Sequence, residues 1–260
     1  MEIKNPLILL TNDDGFTAPG ITTLYEHLLE LGETYIVAPD RERSAASLAL
    51  SLHNPLRVKP IRPQVFAVDG TPADCVYLAI QKLLPRKPDI IISGINPGPN
   101  LGQQDISYSG TVAAAIQGTF FLIPSLAVSL IPDTNGRCAF DFTAKIARRV
   151  AGRMLHNEGF PGITINLNVP PPPFRGIKIA PLGQKHYQPE IIVRKDPRNR
   201  DYYWIGTGQP KAVGPPESDV MVIKAGYTTA TPLQRDFTAY KAAANPSFAD
   251  LFSDIPVTAD

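Results

Sequence analysis

PLILLTNDDGF, residues 6–16, decides how this chain is read. PLILL (6–10) is a short uninterrupted apolar run. That is the pattern of a parallel strand covered by helices on both faces, which has no solvent side to alternate with. A polar turn follows. Ile21, Leu24, Tyr25, Leu28 and Leu29 then recur at helical spacing before Gly32, placed where a helix C-cap glycine stands. The same alternation continues downstream. TYIVAP (34–39) reads as a strand followed by the loop DRERSAAS. VFAVDGTPAD reads as a strand and turn before the helical stretch CVYLAIQKLL. PDIIISG (88–94) reads as a buried strand whose loop, INPGPNLGQQDISYSGT, leads to the helix-compatible VAAAIQG. IPSLAVSL (123–130) is the next strand. Phe142, Ile146, Val150 and Met154 lie four apart and predict an amphipathic helix over 141–157, with GITINLNVP as a strand after it. Strands alternating with helices predict right-handed crossovers and an α/β fold with a mostly parallel sheet.

From about residue 185 the pattern favours extended hairpins. YQPEIIVRK and DYYWIG flank the turn-rich DPRNR, and VMVIKAGYTTATPL resembles a late strand with a Gly turn. A hairpin rich in tyrosine and tryptophan is either a subunit contact or an edge hairpin packed on its own chain. The expected division is 1–184 for the α/β core and 185–260 for a C-terminal hairpin region packing back on it. PPPP at 170–173 reads as a stiff connector, and no repeat of fixed period is visible.

Lys plus Arg number 25 against 24 for Asp plus Glu in 260 residues, giving a net charge of +1. Such a balance offers no broad field for a nucleic-acid polymer or an acidic membrane, so an anionic ligand must be held locally. Cys75 and Cys138 form no CxxC pair, which suits a reducing compartment, and the cytoplasm is the expected location. The longest apolar-rich stretch, around 111–131, is broken by Gly118 and Pro124 and followed by Pro132, so no membrane span is expected. His27, His53, His156 and His186 are scattered and give no zinc spacing.

Ligands of open α/β sheets bind outside the carboxyl ends of the strands, so the loops there are the places to look for chemistry. The first supplies Asn12, Asp13 and Asp14; the second Asp40, Arg41, Arg43, Ser44 and Ser47; the third Asp69, Gly70, Thr71 and Asp74. The fourth supplies Ser93, Asn96, Asn100, Ser109, Gly110 and Thr111. Asp14-Gly15 is also a common hairpin dipeptide, but a helix-spaced segment follows it here rather than a second alternating strand. Two like charges about 4 Å apart repel by roughly 4 kcal/mol at an effective dielectric near 20, and a cation or a proton must offset this. Carboxylate, hydroxyl and amide oxygens select hard ions such as Mg²⁺, Mn²⁺ or Ca²⁺. Ser109-Gly110-Thr111 opens a helix, either as a phosphate cradle or as an ordinary N-cap. The glycines match neither GxGxxG nor GxxxxGK[ST], and no GxSxG elbow is present.

Taken together the loops resemble one family, the survival protein SurE nucleotidases. TNDDGFTAPGI, APDRERSAAS, VDGTPADCV and SGINPGPNLG followed by YSGTVAAAIQG look like its successive motifs. DPRNRDYYWIG and AGYTTATPLQRDFTA look similar to later segments, so the resemblance runs from about residue 7 to 240. It implies a Rossmann-like core with helices on both faces, and a C-terminal hairpin region that exchanges between subunits of a homodimer or homotetramer. It also implies metal-dependent removal of phosphate from nucleoside 5′- and 3′-monophosphates, with short polyphosphate as a further substrate of some members. Residue by residue, it implies one Mg²⁺ or Mn²⁺ per subunit on Asp13, Asp14, Ser44 and Asn96. Asn100, Ser109, Gly110 and Thr111 would line the phosphate position, with Asn12 and Ser93 in support. Two departures stand out. QQDIS places five residues between Gly102 and Tyr108 where four are expected, so a bulge is predicted there and the register of Asp105 is open. Gln117 stands where the family often has glutamate.

The expected mechanism is attack by metal-activated water, with the helix start at Ser109–Thr111 holding phosphoryl oxygens. An aspartyl-phosphate route is the rival, but its usual second aspartate falls on Gly15 here. A nucleotide-binding regulator without turnover is the alternative from another class, and a structural oligomer is a third.

Overall fold

The computed structural model describes residues 5–157, 161–188, 190–206, 208 and 210–251. The outer ends of the two expected units and Pro189 of the first hairpin strand lie outside the described residues. In chain order the elements are β1 (Leu7–Thr11), α1 (Pro19–Leu28), β2 (Glu33–Pro39), β3 (Val58–Arg62), β4 (Val65–Val68) and α2 (Pro72–Leu78). After α2 come a π-helical turn (Ala79–Leu83), β5 (Ile90–Pro97), α3 (Gly102–Tyr108), α4 (Gly110–Thr119), β6 (Ser125–Leu130), α5 (Phe140–Leu155) and β7 (Ile163–Val169). The later part holds β8 (Ile177–Ile179), β9 (Gln184–His186), β10 (Ile191–Lys195), β11 (Asp201–Ile205), β12 (Lys211–Val213), α6 (Asp219–Val222), β13 (Thr228–Gln234), α7 (Tyr240–Ala243) and α8 (Pro246–Asp250).

Nine of the described strands form one sheet in the order β3-β4-β2-β1-β5-β6-β7-β13-β8, while β10 pairs with β11 and β9 with β12 in two antiparallel ribbons. From β4 through β7 every neighbouring pair is parallel. β3 and β13 run antiparallel to their neighbours β4 and β7. All of LILLT in β1 is buried, and alternate residues feed opposite cores, as a pleat of period two requires. Ile8 and Leu10 join Ile21, Leu24 and Leu28 of α1 and Ala144, Ala147, Ala151 and Met154 of α5. Leu9 joins Cys75 and Val76 of α2 and Ala114 of α4 on the other face. Helices therefore cover both faces, which is why the central strands read as unbroken apolar runs.

The order of strands reverses between β1 and β5: the chain goes from β1 outward to β2 and β4, then returns to β5 on the other side. That crevice is where an open sheet binds its ligand. Three local readings are corrected. Residues Gly102–Tyr108, expected as a bulged loop, form helix α3. VMVI, expected as part of a late strand, begins inside α6, whose Asp219 is completely buried and accepts from Gly102 N, Gly183 N and Val220 N. Those three bonds draw the segment into a tight turn, and only TTATPLQ goes on as strand β13. Beside the VFAV strand, Val58–Arg62 adds the antiparallel edge strand β3, which the sequence reading lacked. Among the described residues no helix is long and apolar enough to cross a membrane.

Candidate active site

The turn after β1 is built by Asn12. Its Nδ2 donates to Gly15 O at 2.9 Å and its Oδ1 accepts from Gly15 N at 3.2 Å, so the amide closes the loop on itself. Gly15 sits at φ +101°, a conformation that L side chains rarely adopt, and Phe16 N donates to Pro39 O at the end of β2. Asn12 is thus a strut of the turn, and the turn throws Asp13 and Asp14 into the crevice.

Asp13 is only 6% exposed. Thr111 Oγ1 donates to its Oδ1 at 2.5 Å, and Gly110 lies so close that a Cβ there would stand 2.9 Å from Oδ2. Burial pushes its carboxyl above the ordinary range, against the opposing pull of the Thr111 bond. Asp14 is half-buried. Its Oδ2 is shielded from solvent and has no hydrogen-bond partner among the described residues. Burial first, then the charges of Asp13 and Glu42, push its pKa up to about 7. No cation among the described residues figures in either shift. The pair therefore favours a bound proton or cation over two bare charges.

The second loop is tied to this centre by its backbone, Arg43 N donating to Asp13 O at 2.7 Å. The Arg43 guanidinium turns away to Asp69 O at 2.6 Å and toward Asp40. Ser44 Oγ donates to Glu42 Oε1 at 2.7 Å, which leaves its lone pairs free to face a cation. Ala45 and Ser47 hold φ of +59° and +50°, backbone strain that surrounding contacts must support. Those contacts come from two sides. Ser47 N and Oγ donate to Tyr108 O and Ser107 O of α3, while Thr71 Oγ1 donates to Ala49 O. Asp74, which completes a capping box with Thr71 at the start of α2, accepts from Ser51 N and Oγ. The third motif therefore braces the second loop.

In the fourth loop Asn96 Nδ2 donates to Gly98 O at 2.8 Å, so its Oδ1 is the atom left to accept or ligate. Asn100 is nearly buried, and its Nδ2 donates to Ser129 Oγ at 2.8 Å. Ser93 lies one layer down in β5, fully buried beside Thr11 of β1, and its Oγ has no partner among the described residues. Ser109 caps α4 by accepting from Val112 N at 3.1 Å, so the capping reading holds. Gly110 and Thr111 of the same helix start touch Asp13. Asp105, whose register was open, faces inward and accepts from Lys185 Nζ, Tyr187 Oη and Leu101 N. Sequence reasoning missed Glu42, Ser129, Asn166 and Asn168. The two asparagines carried a readable signal, because buried asparagines at alternate positions of a strand demand hydrogen-bond partners.

Among the described residues no group of three or more His, Cys, Asp or Glu forms a metal cluster. Two carboxylates with a hydroxyl and an amide oxygen nevertheless suit a hard divalent ion, and the partnerless Asp14 Oδ2 and the raised pKa values are what such an ion would relieve.

These features define an open-sheet α/β protein with an acidic, oxygen-lined centre at its topological switch point, next to a helix start. The family model for survival protein SurE matches residues 8–189, and the chain belongs to that family. It is 47% identical over 241 residues to the 5′-nucleotidase SurE of Geobacter metallireducens, covering 90% of this chain and 93% of that one. It is 44% identical over 239 residues to the 5′/3′-nucleotidase SurE of Yersinia pseudotuberculosis, covering 90% and 92%. The crystal structure of SurE protein from Aquifex aeolicus superposes with a TM-score of 0.81 at 37% identity, covering 94% of this chain and all of that one.

Proposed function

We propose that this chain is a metal-dependent nucleotidase that hydrolyses nucleoside 5′-monophosphates, and 3′-monophosphates as well, to nucleoside and phosphate. The observation that carries the reading is the adjacent Asp13–Asp14 pair, with Asp13 buried and Asp14 Oδ2 without a partner among the described residues, set against the start of α4. The names of the relatives support the substrate class. Asp13, Asp14, Ser44 and Asn96 would hold one Mg²⁺ or Mn²⁺, which when bound supplies Lewis-acid stabilisation of phosphoryl charge and acidifies the attacking water. Asn100, Ser109, Gly110 and Thr111 line the phosphate position, where α4 offers the positive end of its dipole. Asn12 and Ser93 support the site from beneath. Asp13 is a poor nucleophile, because its carboxyl is buried and its Oδ1 already accepts a short hydrogen bond from Thr111.

The test is phosphate release from AMP, GMP, CMP, 3′-AMP and a short polyphosphate, with Mg²⁺, Mn²⁺ or EDTA. Release with either metal and loss of it in EDTA is expected. Tight nucleotide binding without release would instead mark a regulator, and undiminished release in EDTA would remove the metal from the mechanism.

The division into a core over 1–184 and an oligomerisation region over 185–260 belongs to the same proposal. β10 and β11 pair only with each other among the described strands, and their residues are exposed, with Tyr203 at 65% and Trp204 at 62%. A two-stranded ribbon with apolar residues open on both faces favours a homodimer or homotetramer over an edge hairpin. Tyr203→Ser combined with Trp204→Ser is expected to shift the light-scattering mass toward a single chain; an unchanged assembly would return the hairpin to the edge reading. Cys75 and Cys138 are free thiols, in keeping with a cytoplasmic location.

A further inference from the structure

The loop that carries Asn96 is fastened mainly by side chains from β6, β7 and α6, outside the four motif loops, and by Asp105 of α3. Between Asn96 and Asn100 it runs through Pro97 and Pro99, which have no N–H to donate. Three successive N–H groups then each meet a carbonyl or carboxylate oxygen of a different element. Asn100 N donates to Asn168 Oδ1 of β7 at 2.8 Å, Leu101 N to Asp105 Oδ2 of α3 at 3.2 Å, and Gly102 N to Asp219 Oδ2 of α6 at 2.8 Å. Asn100 is held on its other side too. Its O accepts from Asn168 Nδ2 at 3.0 Å and from Asn166 Nδ2 at 2.9 Å, and its own Nδ2 donates to Ser129 Oγ of β6 at 2.8 Å. One amide, that of Asn168, therefore grips both the N–H and the C=O of a single residue, the double bond that a neighbouring strand would otherwise provide.

The arrangement is built into the sheet. Asn166 and Asn168 alternate in β7 with Ile165, Leu167 and Val169, which belong to the apolar core on the opposite face. Ser129 is the register partner of Asn168 in β6. Asn166, Asn168 and Ser129 are all completely buried, a costly choice of residue in a central strand unless the groups are needed there.

We propose that Asn168, backed by Asn166 and Ser129, is a positioning residue for nucleotide hydrolysis. It fixes the peptide planes on either side of Asn100, and with them the place of Asn96 Oδ1 and of the Asn100 amide relative to Asp13. The inference rests on the nucleotidase reading above. It identifies the far side of the sheet, away from Asp13 and Asp14, as the mould in which the substrate loop is set.

The test uses the full-length protein with Asn168→Ala, read by amide hydrogen exchange, Mn²⁺ titration calorimetry and steady-state AMP hydrolysis. Exchange is expected to quicken in the segment 96–103 and to stay as in the wild type at 11–16. Mn²⁺ affinity and kcat are each expected to fall about 10- to 100-fold, the usual loss when an orienting partner is removed, with KM changed by less than about 3-fold. Asn168→Asp keeps the volume and the acceptor for Asn100 N but faces Asn100 O with another oxygen, so an intermediate loss is expected. Ser129→Ala, which removes one oxygen from β6, gives the second test should Asn168→Ala fail to fold; a fall in kcat of about 10-fold is expected from it. A folded Asn168→Ala with wild-type exchange and kcat overturns the proposal, and so does a lowered Tm with unchanged kcat below the transition. A wild-type protein that releases no phosphate overturns the functional reading instead, and hydrogen exchange still decides whether Asn168 clamps the loop.

Discussion

Asp14→Asn is expected to lose more than about 100-fold of metal-dependent AMP hydrolysis while gaining thermal stability in EDTA. Removing a partner one bond away from a metal typically costs 10- to 100-fold, and Asp14 is proposed as a direct ligand. The stability gain follows first from the burial of the Asp14 carboxylate and then from the like charges beside it. Asp14 has one oxygen without a partner, and Asp13 and Glu42 both repel it. Its pKa rises from 3.8 to about 7 on folding, so between those values the folded protein binds more protons than the unfolded one. Stability from this group therefore falls as pH rises from about 4 to about 7, the opposite of a salt-bridged carboxylate, and stays low above that range. Burial of Asp13 adds a shift of the same sign. In EDTA the wild-type Tm should accordingly drop between pH 5 and pH 8 by more than that of Asp14→Asn. Mn²⁺ should raise the wild-type Tm by mass action and leave that of the variant nearly unmoved. Scanning fluorimetry at the two pH values, with phosphate release measured alongside, checks every part. Wild-type turnover in Asp14→Asn would remove Asp14 from the metal set.

The signals in the sequence were strongest where structure is local. LILLT, the helix-spaced residues from Ile21 to Leu28 and the i, i+4 series in α5 each carry their own periodicity, and each formed the expected element. The turn at Asn12 to Gly15 and the cap at Ser109 were legible for the same reason, since their hydrogen bonds span three residues. What escaped depends on distant partners. The placement of β13 between β7 and β8 reverses the direction of the sheet at a point no local pattern marks. α3 has glycine at its first position and no side-chain cap. Its Asp105 finds Lys185 and Tyr187 about eighty residues away, so tertiary contacts override a weak local preference there. In α6 an apolar run resembled a strand because apolarity alone does not separate a buried strand from a short buried helix. At the site, Thr111 was read toward phosphate, yet its hydroxyl proton goes to Asp13. The hydroxyl's lone pairs and the backbone N–H groups of the helix start are what remain for a ligand. Composition can nominate a polar group; only the fold says which neighbour takes its proton.

That same contact supplies the second large effect. Gly110→Ala should cut kcat for AMP about 100-fold and lower stability by about 1 to 3 kcal/mol, the usual cost of overpacking. Gly110 is the first residue of α4 and has an ordinary helical backbone, so alanine carries no conformational penalty and is the better helix former. The cost is local. The new methyl would lie 2.7 Å from Asp13 Cβ and 2.9 Å from Oδ2, closer than such atoms approach, and 3.1 Å from its Cγ, a tight contact. Asp13 has little freedom to yield, being buried, bonded through Oδ1 to Thr111 and tied through its carbonyl to Arg43 N. Either the carboxylate turns away from the position where it would ligate, or α4 retreats and takes Ser109 and Thr111 with it. A displacement of about 1 Å at a reacting centre is worth about 100-fold in rate, and both routes move a proposed ligand or phosphate contact by that order. Gly152→Ala on α5, where the nearest atom to the new methyl would be Leu31 Cδ2 at 3.5 Å, is the matched control and should keep full activity. Steady-state kinetics with Mn²⁺ and a melting curve for each variant separate the outcomes. Wild-type kcat in Gly110→Ala would mean that the start of α4 is not part of the reacting site, whereas a collapse in Tm would mean that the Asp13 turn holds the fold together as well as the ligand.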